Sequence, residues 1–409
     1  MISVAEAIRI VRRESELLPV EPVGISECMG RVLACDVVAD SDLPPFNRAQ
    51  MDGYAVRAAD TENATGDAPA RLRAVGEAAA GRGWRGRLQS GEAVRIMTGA
   101  PVPDGADSVQ RVEVTSEREG GAIVHIERGT KPGQFIVERG SEVAAGTVVL
   151  RAGETINAAM TAALAAFGYA QIEVSRRPRV VVLATGTELV AVGERPGADQ
   201  IRDSNSYSLS AYATLAGAVV ERLPFAGDDP GQLVELISIC AERADLLVLS
   251  GGVSMGVYDF TKPALNQLGA EMFFERVALR PGKPTVFARL VAPRRTLVFG
   301  LPGNPVSVSV TFNLFARTAL LAMQGAHDPA LVEERAVLGH PVKGALERMS
   351  YLPTRLFTDD DGRLIAEPLK WGGSSDFVAF ARATALIIVP EGVAALEAGA
   401  RVHIVRLPG

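Results

Sequence analysis

Between residues 179 and 324, apolar strands alternate with helices, and this alternation constrains the fold more than any other feature of the chain. Residues 180–184 and 246–250 are short, nearly continuous apolar runs, the character of strands buried on both faces. Further strands are predicted at 219–224 and 296–299, with helices between them. This order predicts an open, largely parallel α/β sheet, in which ligands bind at the carboxyl ends of the strands.

Glycine-rich turns follow the predicted strands. Gly251 and Gly252 remove every Cβ from the turn after residues 246–250, so that backbone N–H groups can face a bound anion, and Ser254 adds a hydroxyl. A plain strand-to-helix turn is the alternative interpretation. The candidate substrate-binding residues in or beside such turns are Thr185, Gly186, Ser250, Gly251, Gly252, Ser254, Gly303, Asn304, Pro305 and Ser307.

Three acids, Glu188, Asp228 and Asp259, come just after predicted strand ends. Because carboxyl ends of parallel strands meet at one edge, these acids are expected to converge there and to hold Mg²⁺ beside a phosphate. The alternative is that each is a capping or solvated carboxylate. The segment RPGKP adds two fixed cations, Arg280 and Lys283, that could bind an oxyanion.

The rest of the chain predicts three further domains. A helix capped by Ser3 and ended by Pro19 opens the chain, and residues 54–140 are β-rich, with a hairpin predicted between 109–114 and 123–126. The predicted domains are a discontinuous domain at 1–47 and 140–176, an inserted β-rich domain at 48–139, the α/β domain at 177–326, and a C-terminal β domain at 327–409 that resembles a barrel.

Weaker candidates lie outside the α/β domain. Asp52 sits at a predicted turn tip and Thr98 in a Gly/Pro-rich loop, although from these residues alone an ordinary linker turn or surface loop is the better interpretation of both positions. In the C-terminal domain, Arg355 and Ser375 are candidate oxyanion ligands.

Composition narrows the possible partners. The net charge of −6, from 42 basic and 48 acidic residues, argues against nucleic acid or an anionic membrane as partner. Three cysteines without a C-x-x-C pair favour a reducing cytoplasm. The charged N-terminus is not a signal peptide, and the longest low-polarity stretch, residues 158–170, is too short to span a bilayer.

In series, these motifs resemble the molybdopterin molybdenumtransferase family, which includes bacterial MoeA and the E domain of gephyrin. The segments that carry the resemblance occur in the family's order along nearly the whole chain: PPFNRAQMDGYA, MTGAPVP, ATGTELV, DSNSYSL, LSGGVSMGVYDFTK, RPGKP and GLPGNPVS. Three positions depart from the family pattern, namely Ala49 for serine, Arg280 for a common lysine, and Glu142 for aspartate, which leaves the role of Glu142 open.

The resemblance implies a Mg²⁺-dependent enzyme that inserts molybdate into adenylylated molybdopterin and releases AMP and molybdenum cofactor. It implies functional acids at Asp52, Glu188, Asp228 and Asp259, and a homodimer with a site shared between chains. Two alternatives remain: a molybdopterin adenylyltransferase, which would resemble the α/β domain alone, and a non-catalytic scaffold. Molybdate and tungstate are both compatible with the sequence, as is hand-over to an adenylyltransferase or a molybdoenzyme.

Overall fold

The computed structural model describes residues 1–227, 229–252 and 260–408, which form two compact units. The first unit contains Met1–Cys35, Ala152–Thr161 and Gln171–Gly409, and the second contains Asp36–Arg151 and Ala162–Ala170. The predicted division into four domains stays a prediction.

The chain opens with helix α1 (Val4–Glu14) and strand β1 (Val20–Gly24). The predicted cap is confirmed, since the hydroxyl of Ser3 accepts a hydrogen bond from the backbone N–H of Glu6 at 3.1 Å. The helix ends at Glu14, however, and not at Pro19. Ser15 is already extended, so proline is not what ends the helix.

The second unit is built from short strands. They are β2 (Val37–Val38), β3 (Arg48–Ala49), β4 (Gly53–Val56), β5 (Ala70–Ala78), β6 (Glu92–Ile96), β7 (Ser108–Arg111), β8 (Thr115–Arg118), β9 (Ile123–Ile126), β10 (Ile136–Val137) and β11 (Val148–Leu150). Six of them form one sheet in the order β7-β4-β6-β5-β9-β8. Alternate residues of β4 enter different apolar clusters, Tyr54 and Val56 one and Ala55 the other, so both faces of this sheet are covered.

The predicted hairpin in this unit is correct in its turn but wrong in one strand. Strand β9 pairs with β8, and residues 119–121 form the turn between them. Val109 instead lies in β7, which pairs with β4, and Val112–Val114 form a 3₁₀ helix. The 3₁₀ helix interrupts the predicted strand 109–114 after β7. Alternation of apolar and polar residues does not reveal such an interruption.

Helix α2 (Ala158–Ala166) and strand β12 (Gln171–Ser175) follow, and β12 pairs antiparallel with β1. The α/β part then comprises β13 (Arg179–Ala184), β14 (Leu189–Val190), β15 (Ile201–Arg202), α3 (Asn205–Leu215), β16 (Val219–Arg222), α4 (Pro230–Ala241), β17 (Leu246–Ser250), α5 (Thr261–Gln267), β18 (Glu271–Phe274), β19 (Leu279–Arg280), β20 (Val286–Leu290), β21 (Thr296–Leu301), α6 (Pro305–Thr311), a π-helical segment (Phe312–Ala316) and α7 (Arg317–Met323).

The predicted open, mostly parallel sheet is confirmed, with strand order β16-β13-β17-β21-β20-β18. Strands β16, β13, β17 and β21 are parallel, and β20 is antiparallel to both of its neighbours. Along β13, Val180 and Val182 enter one apolar cluster whereas Val181 and Leu183 enter another. The continuous apolar run is therefore explained by burial on both faces of the sheet.

The strand order creates a topological switch point between β13 and β17. From β13 the chain crosses through α3 to β16 on one side, whereas from β17 it continues through α5 towards β18, β20 and β21 on the other side. The two connections leave in opposite directions, which opens a crevice at the carboxyl ends of β13 and β17.

Among the described residues, Pro305–Met323 is the one helical stretch of 18 or more residues with a high mean hydropathy. By length and composition it could cross a membrane. However, 83% of it is buried inside the protein, as expected of a core helix.

The C-terminal part is a closed five-stranded barrel, which confirms the predicted β architecture. Its elements are β22 (Glu333–Leu338), β23 (Val342–Lys343), β24 (Met349–Thr358), β25 (Leu364–Pro368), α8 (Phe377–Phe380), β26 (Ala385–Val389), β27 (Ala395–Leu396) and β28 (Arg401–Arg406). The order β24-β25-β22-β28-β26 closes through a β24–β26 pairing. Strand β19 of the α/β part pairs with the start of β24, so the barrel is hydrogen-bonded to the α/β part.

Candidate functional site

A cavity of about 1330 Å³ lies at the switch point. We call it the strand-end cavity. It is lined by Ala184, Thr185, Gly186, Thr187, Glu188, Leu189, Pro196, Gln200, Ile201, Arg202, Asp203, Ser204, Asn205, Ser250, Gly251, Gly252, Pro284, Pro302, Gly303, Asn304, Pro305, Ser375 and Phe377. The turns that follow β13, β17 and β21 thus converge, as the sequence predicts for parallel strands.

The two glycines after β17 are required by the backbone. Gly251 and Gly252 have φ values of +97° and +61°, which side chains rarely adopt. A Cβ at Gly251 would also overlap the carbonyl oxygen of Thr185, whose own N–H donates to Ser250 O at 2.8 Å. The turn is therefore packed tightly against the end of β13, with its backbone at the cavity wall.

Glu188 is the predicted acid that the described part of the structure brings to this cavity. Its side chain is exposed, and its Cδ lies 2.7 Å from the position that a Cβ on Gly186 would occupy. Asp228, Asp259 and Ser254 lie outside the described residues.

Asp203 is a second carboxylate at the cavity wall, but its oxygens are already engaged. It is buried, and both the backbone N–H and the hydroxyl of Ser206 donate to it. It therefore serves the start of α3, where a negative charge is favourable.

The donor set at this edge fits Mg²⁺ bound through few protein ligands. Within residues 1–227, 229–252 and 260–408, no group of three or more His, Cys, Asp or Glu side chains is arranged to hold a metal. The carboxylate of Glu188 makes no hydrogen bond or ion pair with another described residue, so it is available as a ligand. Mg²⁺ commonly binds through one or two carboxylates and completes its shell with water and substrate phosphate.

Asn205 is a cavity residue that the sequence analysis did not assign. Its Nδ2 donates to the hydroxyl of Ser250 at 3.0 Å and to the carbonyl oxygen of Gly303 at 2.7 Å. Because a carbonyl oxygen can only accept, this contact fixes the orientation of the amide. Its Oδ1 is buried without a hydrogen-bond partner. Asn205 thus ties the turn after β21 to the end of β17, and its place in the segment DSNSYSL was the available sequence signal.

A second cavity, of about 990 Å³, has five lysines and arginines in its wall beside prolines and other residues, and we call it the anion cavity. The α/β part contributes Arg280, Lys283 and Ser307, and the barrel side contributes Lys343, Arg348, Lys370, His340 and the single carboxylate Glu367. In the described part of the chain, none of the five lysines and arginines forms an ion pair, whereas Glu367 pairs with His340 at 2.7 Å. Unpaired positive charge of this density favours a bound anion.

The two cavities share a wall formed by Pro284, Pro302 and Asn304. The segment 370–377 also lines both, with Lys370 and Ser374 in the anion cavity and Ser375 and Phe377 in the strand-end cavity. The structure thus brings Arg280, Lys283 and Ser307 together and puts Ser375 in the neighbouring cavity.

The barrel segment is held in place by hydrogen bonds at both ends. Asp376 accepts from the backbone N–H groups of Gly372 at 2.8 Å and Ala379 at 3.1 Å, and these bonds lower the pKa of its carboxyl.

Arg355, the remaining oxyanion candidate, is exposed on β24 and lines neither cavity. Lys343, Arg348 and Lys370, which the sequence analysis missed, are the barrel cations that do line the anion cavity.

Asp52 and Thr98 lie together in the second unit. The backbone N–H and the hydroxyl of Thr98 both donate to Oδ1 of Asp52, each at 2.7 Å. These hydrogen bonds, the backbone one first, lower the pKa of the Asp52 carboxyl. Asp52 is therefore held ionised at neutral pH.

Glu142, whose role the sequence left open, accepts a hydrogen bond from Arg48 at 2.9 Å. Both side chains are substantially exposed, and the pair lies within the second unit. The structure thus shows Glu142 in a surface ion pair.

Comparison with known proteins covers almost the whole chain. Residues 2–168 match the MoeA N-terminal region (domains I and II), residues 181–322 a probable molybdopterin-binding domain, and residues 335–407 the MoeA C-terminal region (domain IV). The chain is 34% identical over 407 residues to the Bacillus subtilis protein named molybdopterin molybdenumtransferase, covering 98% of this chain and 93% of that protein. It is 36% identical over 419 residues to the Mycobacterium tuberculosis protein named molybdopterin molybdenumtransferase 2, covering 99% of each.

Solved structures show the same similarity. A molybdopterin biosynthesis MoeA protein from Pyrococcus horikoshii superposes with a TM-score of 0.83 at 31% identity, covering 100% of both chains. A second structure of a MoeA protein from that organism gives a TM-score of 0.85 at 28% identity, again covering 100% of both chains. The similarity therefore extends over the α/β part, the barrel and the second unit alike.

Proposed function

Since the chain belongs to the molybdopterin molybdenumtransferase (MoeA) family, and is thus a transferase of molybdenum cofactor biosynthesis, we propose that it inserts molybdate into adenylylated molybdopterin and releases AMP. The observation that carries the proposal is the shared wall of the two cavities. This wall supports the proposal because a phosphate-bearing organic substrate in one cavity would lie beside a small oxyanion in the other.

In this proposal the strand-end cavity binds adenylylated molybdopterin. The backbone after β17 can approach the phosphates closely because Gly251 and Gly252 carry no side chain. Glu188 would hold Mg²⁺, which when bound neutralises charge on the phosphoanhydride. Asn205 keeps the turns after β17 and β21 at a fixed separation and so orients the substrate between them.

Molybdate binds in the anion cavity. Arg280 offers a planar guanidinium and Lys283 a compact charge, and both could contact a tetrahedral dianion beside the prolines of the wall. Asn304 lies at the boundary, so it contacts whichever group passes from one cavity to the other. The same chemistry applies to tungstate.

We infer further that the enzyme acts as a cytoplasmic homodimer and transfers its product to a neighbouring enzyme of the pathway. The family resemblance supports a site shared between chains, with Asp52 of one copy acting on the site that contains Glu188 of the other. The free thiols of Cys28, Cys35 and Cys240 agree with a reducing compartment.

The deciding experiment measures AMP release from adenylylated molybdopterin by the purified protein with Mg²⁺, with and without molybdate. We expect release only with molybdate, and loss of release in Glu188→Gln. Glu194→Gln, an exposed acid of the same loop outside the cavity, is the matched control and should keep full activity. Consumption of ATP and free molybdopterin would indicate an adenylyltransferase instead, and no reaction at all would favour a scaffold.

The shared site is tested by mixing the inactive variants Asp52→Ala and Glu188→Ala. If each site uses one residue from each copy, mixed dimers contain one intact site and the mixture recovers about a quarter of the wild-type activity. No recovery in a mixture shown to exchange subunits would contradict the shared site.

A further inference from the structure

Phe377 is an exposed aromatic side chain at the wall of the strand-end cavity. It is 50% exposed, and among the described residues that line this cavity it is the only aromatic one. A phenyl ring left half in water forgoes about half of the free energy that its full burial would supply. A large exposed apolar group at a cavity wall is therefore a candidate contact for a ligand.

The backbone that carries this ring is held by hydrogen bonds and by a buried neighbour. Phe377 opens α8, whose N-cap Asp376 accepts hydrogen bonds from Gly372 and Ala379. Three residues later, Phe380 is buried in the main apolar cluster of the first unit. The helix is thus anchored through Phe380, and it presents the ring of Phe377 at a fixed position without burying it.

No other part of the described structure accounts for the ring. Phe377 belongs to none of the apolar clusters, and in the described ranges no other aromatic ring packs on it. The remaining cavity wall is largely backbone, glycine, proline and polar side chains. These groups suit phosphates and a metal ion, but they offer little flat apolar surface to a planar ring.

We propose that Phe377 is the stacking residue for a planar nitrogen heterocycle of the substrate. This inference rests on the proposed function, because adenylylated molybdopterin carries two such rings, the adenine and the pterin. Stacking on an aromatic side chain suits either ring, since both present a π face. Phe377 is accordingly a positioning residue that holds the substrate while other groups act on its phosphates.

The test measures binding of each ring separately by calorimetry, with AMP as the adenine probe and unsubstituted pterin as the pterin probe. Phe377→Ala should weaken binding of one probe by about 5- to 100-fold. Phe377→Tyr, which keeps the ring, should bind within about twofold of the wild type, and Phe377→Leu should lie between. In turnover, Phe377→Ala should raise the KM for adenylylated molybdopterin and leave kcat nearly unchanged, because the residue touches no reacting atom.

Val378→Ala is the matched control. Val378 is the next residue and is 66% exposed, but it does not line the cavity. It should leave both affinities unchanged. Equal losses in both variants would overturn the proposal, because they would indicate a general role of α8. A change in the dimer dissociation constant of Phe377→Ala would also overturn it, by showing that the ring is covered by a second copy.

The stacking inference and the proposed function can fail independently. If wild-type protein binds a probe and Phe377→Ala binds it equally well, the stacking inference is wrong while the molybdate-dependent AMP release stands. If wild-type protein binds neither probe, the stacking inference is also wrong, and the AMP-release measurement alone decides the proposed reaction.

Discussion

The Nδ2 of Asn304 donates a hydrogen bond to Oγ of Ser374 at 3.0 Å, which joins the turn after β21 to the barrel segment before α8. The backbone N–H of Val306 also donates to the carbonyl oxygen of Ser374, at 3.0 Å. Because Asn304 lines both cavities, this pair fixes the boundary between the strand-end cavity and the anion cavity.

We expect Asn304→Ala to lower kcat/KM for molybdate insertion about tenfold and Ser374→Ala less, because Asn304 lines both cavities whereas Ser374 lines only the anion cavity. The double variant should lose less than the sum, with a coupling free energy of about 0.5–1.5 kcal/mol. Asn266→Ala, an exposed asparagine on α5, is the control. Strict additivity would show that the two residues act independently.

Alanine variants of Arg348 and Arg355 test which arginine of the barrel binds the oxyanion. Arg348 lines the anion cavity, whereas Arg355 is exposed and lines neither cavity. Arg348→Ala should raise the KM for molybdate about tenfold, because a charge-assisted contact is lost, and Arg355→Ala should change it less than twofold. A larger effect of Arg355→Ala would support the assignment made from sequence alone.

The same kinetic measurement should depend on ionic strength. The five lysines and arginines that line the anion cavity attract a dianion through a field that salt screens over about 8–10 Å. The KM for molybdate should therefore rise with added NaCl, and it should rise less steeply in Arg348→Ala. A salt-independent KM would argue that the cations do not contribute to capture.

Gly186→Ala should disturb Glu188. Gly186 has φ +151°, and a Cβ there would overlap the carboxyl group of Glu188. The carboxylate is the flexible partner and must move, so the Mg²⁺ concentration for half-maximal activity should rise, with about 1–3 kcal/mol of stability lost to backbone strain. Gly193→Ala is the control, because nothing lies near its Cβ and its φ is ordinary. An unchanged Mg²⁺ dependence of activity would contradict the proposal that Glu188 is a ligand of the metal.

Thr98→Val should raise the pKa of the Asp52 carboxyl towards its usual value. The variant loses the hydroxyl donor and keeps the backbone N–H, which is the larger of the two causes, so the shift should be partial. A carboxyl pKa that is depressed in the folded state adds stability above the unfolded pKa, and this stability is lost as the pH falls through the folded pKa. The loss of stability in acid should therefore be smaller in Thr98→Val, and it should be complete at a higher pH than in the wild type.

A ¹³C-detected NMR titration of the carboxyl groups checks this shift, with Asp52→Asn to assign the resonance. An identical Asp52 titration in wild type and Thr98→Val would show that the hydroxyl contributes nothing to the depressed pKa.

Much of the fold follows from local sequence. The apolar runs at β13 and β17 require burial on both faces, and the caps at Ser3 and at Asp229 fix where two helices begin. Gly251 and Gly252 likewise mark a turn that a side chain would obstruct. Each of these signals acts between residues close in the chain, so each is legible without the tertiary structure.

The set of residues that line each cavity, by contrast, depends on contacts between residues far apart in the chain. Arg280 and Lys343 are far apart in sequence and share a cavity only because β19 pairs with β24 and the barrel closes. Arg348 directly precedes β24 and Arg355 lies within it, seven positions later, and an odd step along an extended chain directs two side chains to opposite faces.

The sequence by itself thus determined the family, the parallel sheet and its ligand edge, because hydrophobic periodicity and turn chemistry are short-range. Only the tertiary structure decided that Asn205 bridges two turns, that Arg348 rather than Arg355 enters the anion cavity, and that Phe377 faces the strand-end cavity. Strand register, barrel closure and the packing of a distant loop decide these points, and all three depend on contacts between residues far apart in the chain.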